Sequence, residues 1–103
     1  MPFEPRIPRN FAASDVREHA PALSGVYGIS NAHEWIYIGE TDNIQNALIE
    51  HLQERNTALQ NRKPTGFAFE ICDRARRASR QDRLVLEYEP ACNRSAAGRS
   101  AGG

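Results

Sequence analysis

Lysine is almost missing from this chain: Lys63 stands alone beside twelve arginines. A guanidinium is planar and grips phosphate oxygens better than an ammonium does, although codon bias produces the same composition. Thirteen acids balance thirteen bases, so bulk charge neither draws nor repels a polyanion. Cysteine is scarce as well: Cys72 and Cys92 fall in different elements without metal-ligand spacing, which fits a reducing compartment and packed or idle thiols. No apolar run approaches the roughly 20 residues of a membrane span, and residues 1 to 20 hold no signal-peptide core. A cytoplasmic protein free of the membrane is the expectation. The 103 residues suffice for one domain that buries about two-thirds of its surface.

What is present is organised around residues 24 to 40, SGVYGISNAHEWIYIGE. Two runs of β-formers flank Asn31-Ala32-His33, the polar loop of a β-hairpin. A three-residue loop would pair Ser30 with Glu34, Ile29 with Trp35 and Tyr27 with Tyr37. Tyr27, Ile29, Trp35 and Tyr37 would then share one face, with Val26, Ile36 and Ile38 on the other. Both faces are apolar, so helices must cover the sheet on both sides.

Before the hairpin, residues 1 to 13 hold three prolines and read as an extended arm. Ser14 or Asp15 would cap a short helix to His19, stopped by Pro21, and arm and helix would pack on one sheet face. After the hairpin, a helix is expected from about Asp42 to Asn61, capped by Thr41 or Asp42, with Ile44, Leu48 and Leu52 on its apolar stripe. GFAFEIC, residues 66 to 72, alternates as a third strand, Phe67, Phe69 and Ile71 facing one way and Ala68, Glu70 and Cys72 the other. A second long helix follows, capped by Asp73 and stopped by Pro90, with Ala75, Ala78, Val85 and Tyr88 inward. Arg76, Arg80 and Arg83 would lie outward as a stripe suited to a phosphate backbone. A solvated face with i, i+4 ion pairs reads the same way. Residues 94 to 103 are too poor in hydrophobes to order themselves.

Gly25-Val26-Tyr27 followed by Tyr37-Ile38-Gly39 resembles the paired signature of the GIY-YIG endonuclease family. Asn43-Ile44 opening a helix, His51 within it, the third strand and Pro90-Ala91-Cys92-Asn93 extend the resemblance over residues 20 to 93. It implies a single α/β domain, residues 14 to 93, with a three-stranded antiparallel sheet flanked by helices. It also implies a phosphodiesterase site in which Tyr27 and Tyr37 orient or deprotonate a water, with His51 and Asn93 at retained positions. Two positions depart from the pattern. The family arginine falls at Ala47 and the metal-binding glutamate at Gln81, whose amide is a poor ligand for a hard cation. Asp82, Glu70 or Glu40 would be the rescuing carboxylate.

Three functions follow. The first is a catalytically impaired nuclease-like module that binds nucleic acid, DNA before RNA, through Arg76, Arg80 and Arg83, and needs no cofactor. The second is an active Mg²⁺-dependent endonuclease using a displaced carboxylate. The third is a protein-interaction domain using the acidic first long helix or the tail.

Overall fold

The computed structural model describes Phe3, residues 8 to 54 and residues 57 to 93. The expected tail, residues 94 to 103, and residues 1, 2 and 4 to 7 of the arm lie outside them. The elements run β1 (Arg9–Asn10), α1 (Ala13–His19), β2 (Gly25–Ser30), β3 (Trp35–Thr41), α2 (Ile44–Gln53), α3 (Ala58–Asn61), β4 (Gly66–Ile71) and α4 (Arg74–Tyr88).

The sheet has four antiparallel strands in the order β1-β4-β2-β3, one more than expected. The arm supplies the extra edge strand: Arg9 pairs with Phe67 and Asn10 with Gly66. Pro8, lacking an N–H, stands just before that pairing.

The hairpin is where expected, but its register differs. Asn31 forms an Asx turn, its Oδ1 accepting from the backbone N–H groups of His33 (2.8 Å) and Glu34 (2.9 Å). With its N–H taken, Glu34 stays in a four-residue loop, and Ser30 pairs with Trp35 instead. The register then shifts between Ile29 and Ser30, so that Ile29 faces Tyr37 and Tyr27 faces Gly39. The extra residue is Ile36. This bulge exchanges two side chains between faces. Ile36 joins Tyr27, Ile29 and Phe67 in one core cluster, and Trp35 joins Val26, Ile38 and Leu84 in the other.

Each face is covered, as two apolar surfaces require. Phe11, Val16 and Ala20 from the α1 segment, Ile44 and Leu48 from α2, and Leu59 from α3 bury the Tyr27 face. Phe3 and α4, through Leu84, Val85 and Tyr88, bury the Val26 face. The arm therefore contributes to both faces.

The expected helix over residues 42 to 61 is two helices. Asn43 rather than Thr41 or Asp42 caps α2, its side chain accepting from the Asn46 N–H. Thr57 caps α3 in the same way. The α1 helix starts after Ala12 without a side-chain cap, where Ser14 or Asp15 was expected. Asp73 caps α4 as expected. Glu89 ends it in the left-handed region (φ 49°), its N–H donating to Val85, and Pro90 bars a further turn. The inward stripe of α4 also differs. Ala75 and Ala78 are exposed, while Arg77 is buried. Rotation about the helix therefore turns Arg80 inward against Glu70, where Nε meets Oε2 and Nη2 meets Oε1 at 2.8 Å each.

Candidate functional site

The two phenols share the α2 face of the sheet, on diagonal positions rather than directly opposed. Their ring centroids are 6.1 Å apart. The position across from Tyr27 is Gly39, and a Cβ there would stand 2.7 Å from Tyr27 Oη and 2.8 Å from Tyr37 Cε2. The absent side chain is what lets both rings lie against the strand.

The inward face of α2, set by Ile44 and Leu48, carries His51 over the phenols. Its ring lies 5.6 Å from Tyr27 and 5.4 Å from Tyr37. His51 Nε2 is 2.9 Å from Tyr27 Oη, and Nδ1 is 3.1 Å from Glu54 Oε1. Tyr27 is held well above the ordinary phenol range, first by burial and then by the negative charge of Tyr37, Glu54 and Glu50. It therefore keeps its proton, with His51 Nε2 and the Tyr37 hydroxyl as its hydrogen-bond neighbours. On the other side of the ring, Nδ1 faces the Glu54 carboxylate. The result is a chain from Glu54 through His51 to Tyr27. Sequence reasoning found Tyr27, Tyr37 and His51 but missed Glu54, whose position three residues after His51 on α2 was the available signal.

The two departures are visible as contacts. Ala47 is half-buried and packs on the core beneath α2, so no guanidinium enters there. Gln81 comes from α4, on the opposite side of the sheet, and its Nε2 donates to the Ile38 carbonyl at 3.1 Å. Asn93, also buried, closes on the same residue. Its Oδ1 accepts from the Ile38 N–H and its Nδ2 donates to the Ile38 carbonyl at 2.7 Å. The two amides thus satisfy the outer edge of β3 midway between Tyr37 and Gly39.

Neither proposed sheet carboxylate approaches the phenols. Glu70 and Glu40 stand on the α4 face, bound to Arg80 and Arg77 respectively. Asp82 is exposed on α4. Among the described residues no three His, Cys, Asp or Glu side chains come together to hold a metal ion.

The arginine stripe is divided. Arg77 is buried, with Nε 3.2 Å from Glu40 Oε1 and Nη1 on Asp42 and, at 3.2 Å, on Ser24. Arg80 is half-buried against Glu70, while Arg74, Arg76 and Arg83 are exposed.

The sequence matches no family model and no curated protein. Solved structures do resemble it. The GIY-YIG N-terminal endonuclease domain of UvrC from Thermotoga maritima, bound to its catalytic divalent cation magnesium, superposes with a TM-score of 0.63 at 20% identity, over 75% of this chain and 93% of that one. A tyrosine-to-phenylalanine mutant of the same domain gives 0.62 at 20%, over 75% and 92%. An asparagine-to-alanine mutant gives 0.63 at 20%, over 75% and 92%. The chain has the GIY-YIG fold.

Proposed function

We propose that this chain is a GIY-YIG module impaired in phosphodiester hydrolysis that binds nucleic acid, DNA by preference, through the exposed arginines of α4. The observation that carries this reading is the set of groups around the phenols. A methyl stands at Ala47, the Gln81 amide is engaged on Ile38, and the nearest charges, Glu50 and Glu54, repel a phosphate. Losing one preorganised electrostatic group costs about 10²–10³ in rate. Losing two leaves little turnover.

Arg74, Arg76 and Arg83 point away from the sheet on the face opposite Tyr27. A backbone gripped there is not delivered to the phenols, which favours binding without cleavage. Arg80 does not belong to this surface, because Glu70 holds it. The test is a titration of labelled DNA duplex at rising salt. Affinity should fall steeply with salt, and Arg76→Glu with Arg83→Glu should lower the slope of log K against log salt by about one per lost phosphate contact. Affinity indifferent to both variants would overturn the α4 surface.

A second reading, an active Mg²⁺-dependent endonuclease, is favoured by the hydrogen-bonded chain of Glu54, His51 and Tyr27 beneath α2. It requires metal-dependent nicking that Tyr27→Phe abolishes.

A further inference from the structure

The two edges of the sheet are finished differently. On β3 the outward peptide groups of Ile38 are taken by the side chains of Asn93 and Gln81. On β4, among the described residues, β1 covers the outer edge at Gly66 and Phe67 and no farther. Alternation fixes what lies beyond. The Cys72 N–H donates to the Ser24 carbonyl on the β2 side (3.0 Å), and the Phe11 N–H donates to the Thr65 carbonyl on the β1 side (2.9 Å). The peptide groups of Ala68 and Glu70 therefore turn to β2, and those of Phe69 and Ile71 turn outward. No backbone group of the described residues meets them there.

The side chains leave this stretch open as well. Ile71 is 57% exposed, and a cleft of 360 Å³ lined by Glu70, Ile71, Cys72, Asp73, Arg76 and Arg80 runs beside it toward α4. Exposed edge strands are guarded by lysine, by proline or by a charge. Phe69-Glu70-Ile71 has only Glu70, and Arg80 balances that charge through two hydrogen bonds of 2.8 Å. The chain as a whole carries no net charge, so copies of it do not repel one another at neutral pH.

We propose that this edge pairs with the same edge of a second copy of the chain, antiparallel and about a two-fold axis at Glu70. Phe69 of each copy then exchanges backbone hydrogen bonds with Ile71 of the other. An isologous contact must be self-complementary, and this edge is. Arg9 stands beside Phe67 at one end and Asp73 follows Cys72 at the other, both exposed, and the two-fold brings Arg9 of one copy against Asp73 of its mate. At the axis the two Glu70 carboxylates face each other. Bare, they would repel; here each arrives with the guanidinium of its own Arg80. A strand of another protein would find the same open peptide groups but not the match of Arg9 to Asp73. Pairing ends after Ile71, because Asp73 turns the chain into α4, and it cannot pass Phe69 toward Phe67, which β1 occupies. A contact so short makes a weak, reversible dimer. Opposed residues of an antiparallel pair point to the same face, so both α4 helices would lie on one side of a continuous sheet. The pairing does not depend on nucleic-acid binding, although it would double the surface of exposed arginines.

The experiment is analytical ultracentrifugation of the full chain at rising concentration, up to about 1 mM. A reversible equilibrium of monomer and dimer is expected. Ile71→Lys places a guarding charge on the edge at a solvent-facing position, so the circular dichroism should stay unchanged while association weakens about tenfold. Arg9→Glu should weaken it as well. Glu70→Cys tests the register: on the axis the opposed Cα atoms would lie about 4.5 Å apart, within the reach of a disulfide. Oxidised glutathione should therefore link this variant into a covalent dimer and leave the parent chain, with Cys72 and Cys92, unlinked. A monomer at every concentration would overturn the proposal. A dimer indifferent to Ile71→Lys would overturn it too, and so would a Glu70→Cys chain that dimerises without cross-linking.

Discussion

Tyr27 links burial, catalysis-like geometry and pH dependence in one side chain. Its phenol is raised above the usual value of 10.0, chiefly by desolvation. In the unfolded chain the same phenol ionises near 10, so above that pH the unfolded state holds fewer protons and gains relative to the folded state. The contribution of Tyr27 is thus complete below pH about 10 and declines as pH rises beyond it. Tyr27→Phe should flatten this alkaline limb in urea unfolding followed from pH 8 to 11. At pH 7 it should cost only about 0.5–1.5 kcal/mol, the worth of one hydrogen bond, here that to His51. Gly39 is the other residue on which the phenols depend. Gly39→Ala forces a methyl to within 2.7 Å of Tyr27 Oη, and the displacement of both rings should cost about 1–3 kcal/mol. The His51 imidazole resonances should shift with it. An unchanged urea midpoint and unchanged His51 signals would show that the strand yields without moving the phenols.

Among the elements, α4 is fixed at its start by charge and along its length by packing. Arg77 gathers Glu40, Asp42 and Ser24 beneath the first turns, and the Asp42 carboxyl is lowered by its hydrogen bond and charge attraction to Arg77. A lowered carboxyl stabilises the fold above its unfolded value, near pH 4, and that contribution is lost as pH falls through the folded value. Asp42→Asn should therefore flatten the acid limb of the thermal midpoint between pH 5 and pH 2. Farther along the helix, Gln81→Glu replaces the donor to the Ile38 carbonyl with an acceptor. A loss of about 1–3 kcal/mol in urea unfolding is expected.

The elements show what a sequence pattern carries and what it does not. The two hairpin runs, the third strand and the Asp73 cap are legible because alternation, a polar loop and a capping aspartate are local signals. The Ile36 bulge is not. With both hairpin faces apolar, a slip by one residue moves hydrophobes from one core to another, and hydropathy cannot register it. The break between α2 and α3 has no glycine or proline to announce it. Burial of Arg77 was equally hidden, since its neighbours on α4 are chemically alike and only Glu40 and Asp42, brought close by the fold, distinguish it. Of the site, Tyr27, Tyr37 and His51 were readable from the paired triplets and the helix that follows them. Glu54 was not, because its part depends on how the His51 ring lies between it and Tyr27.

For the molecule as a whole, the decisive feature is the separation of the phenols from the exposed arginines across the sheet. The phenols, His51 and the acids Glu50 and Glu54 occupy the face under α2, while the exposed arginines project from α4 on the other. The fold is that of the GIY-YIG endonuclease domain it superposes on, and the two positions where the resemblance expects an arginine and a glutamate hold Ala47, packed on the core, and Gln81, engaged on Ile38. The most direct measurement is incubation of supercoiled plasmid with excess protein in Mg²⁺ and in Mn²⁺, with binding followed on the same samples by gel shift. The expected result is a retarded plasmid that remains supercoiled in both metals. Metal-dependent nicks that vanish with Tyr27→Phe would contradict it.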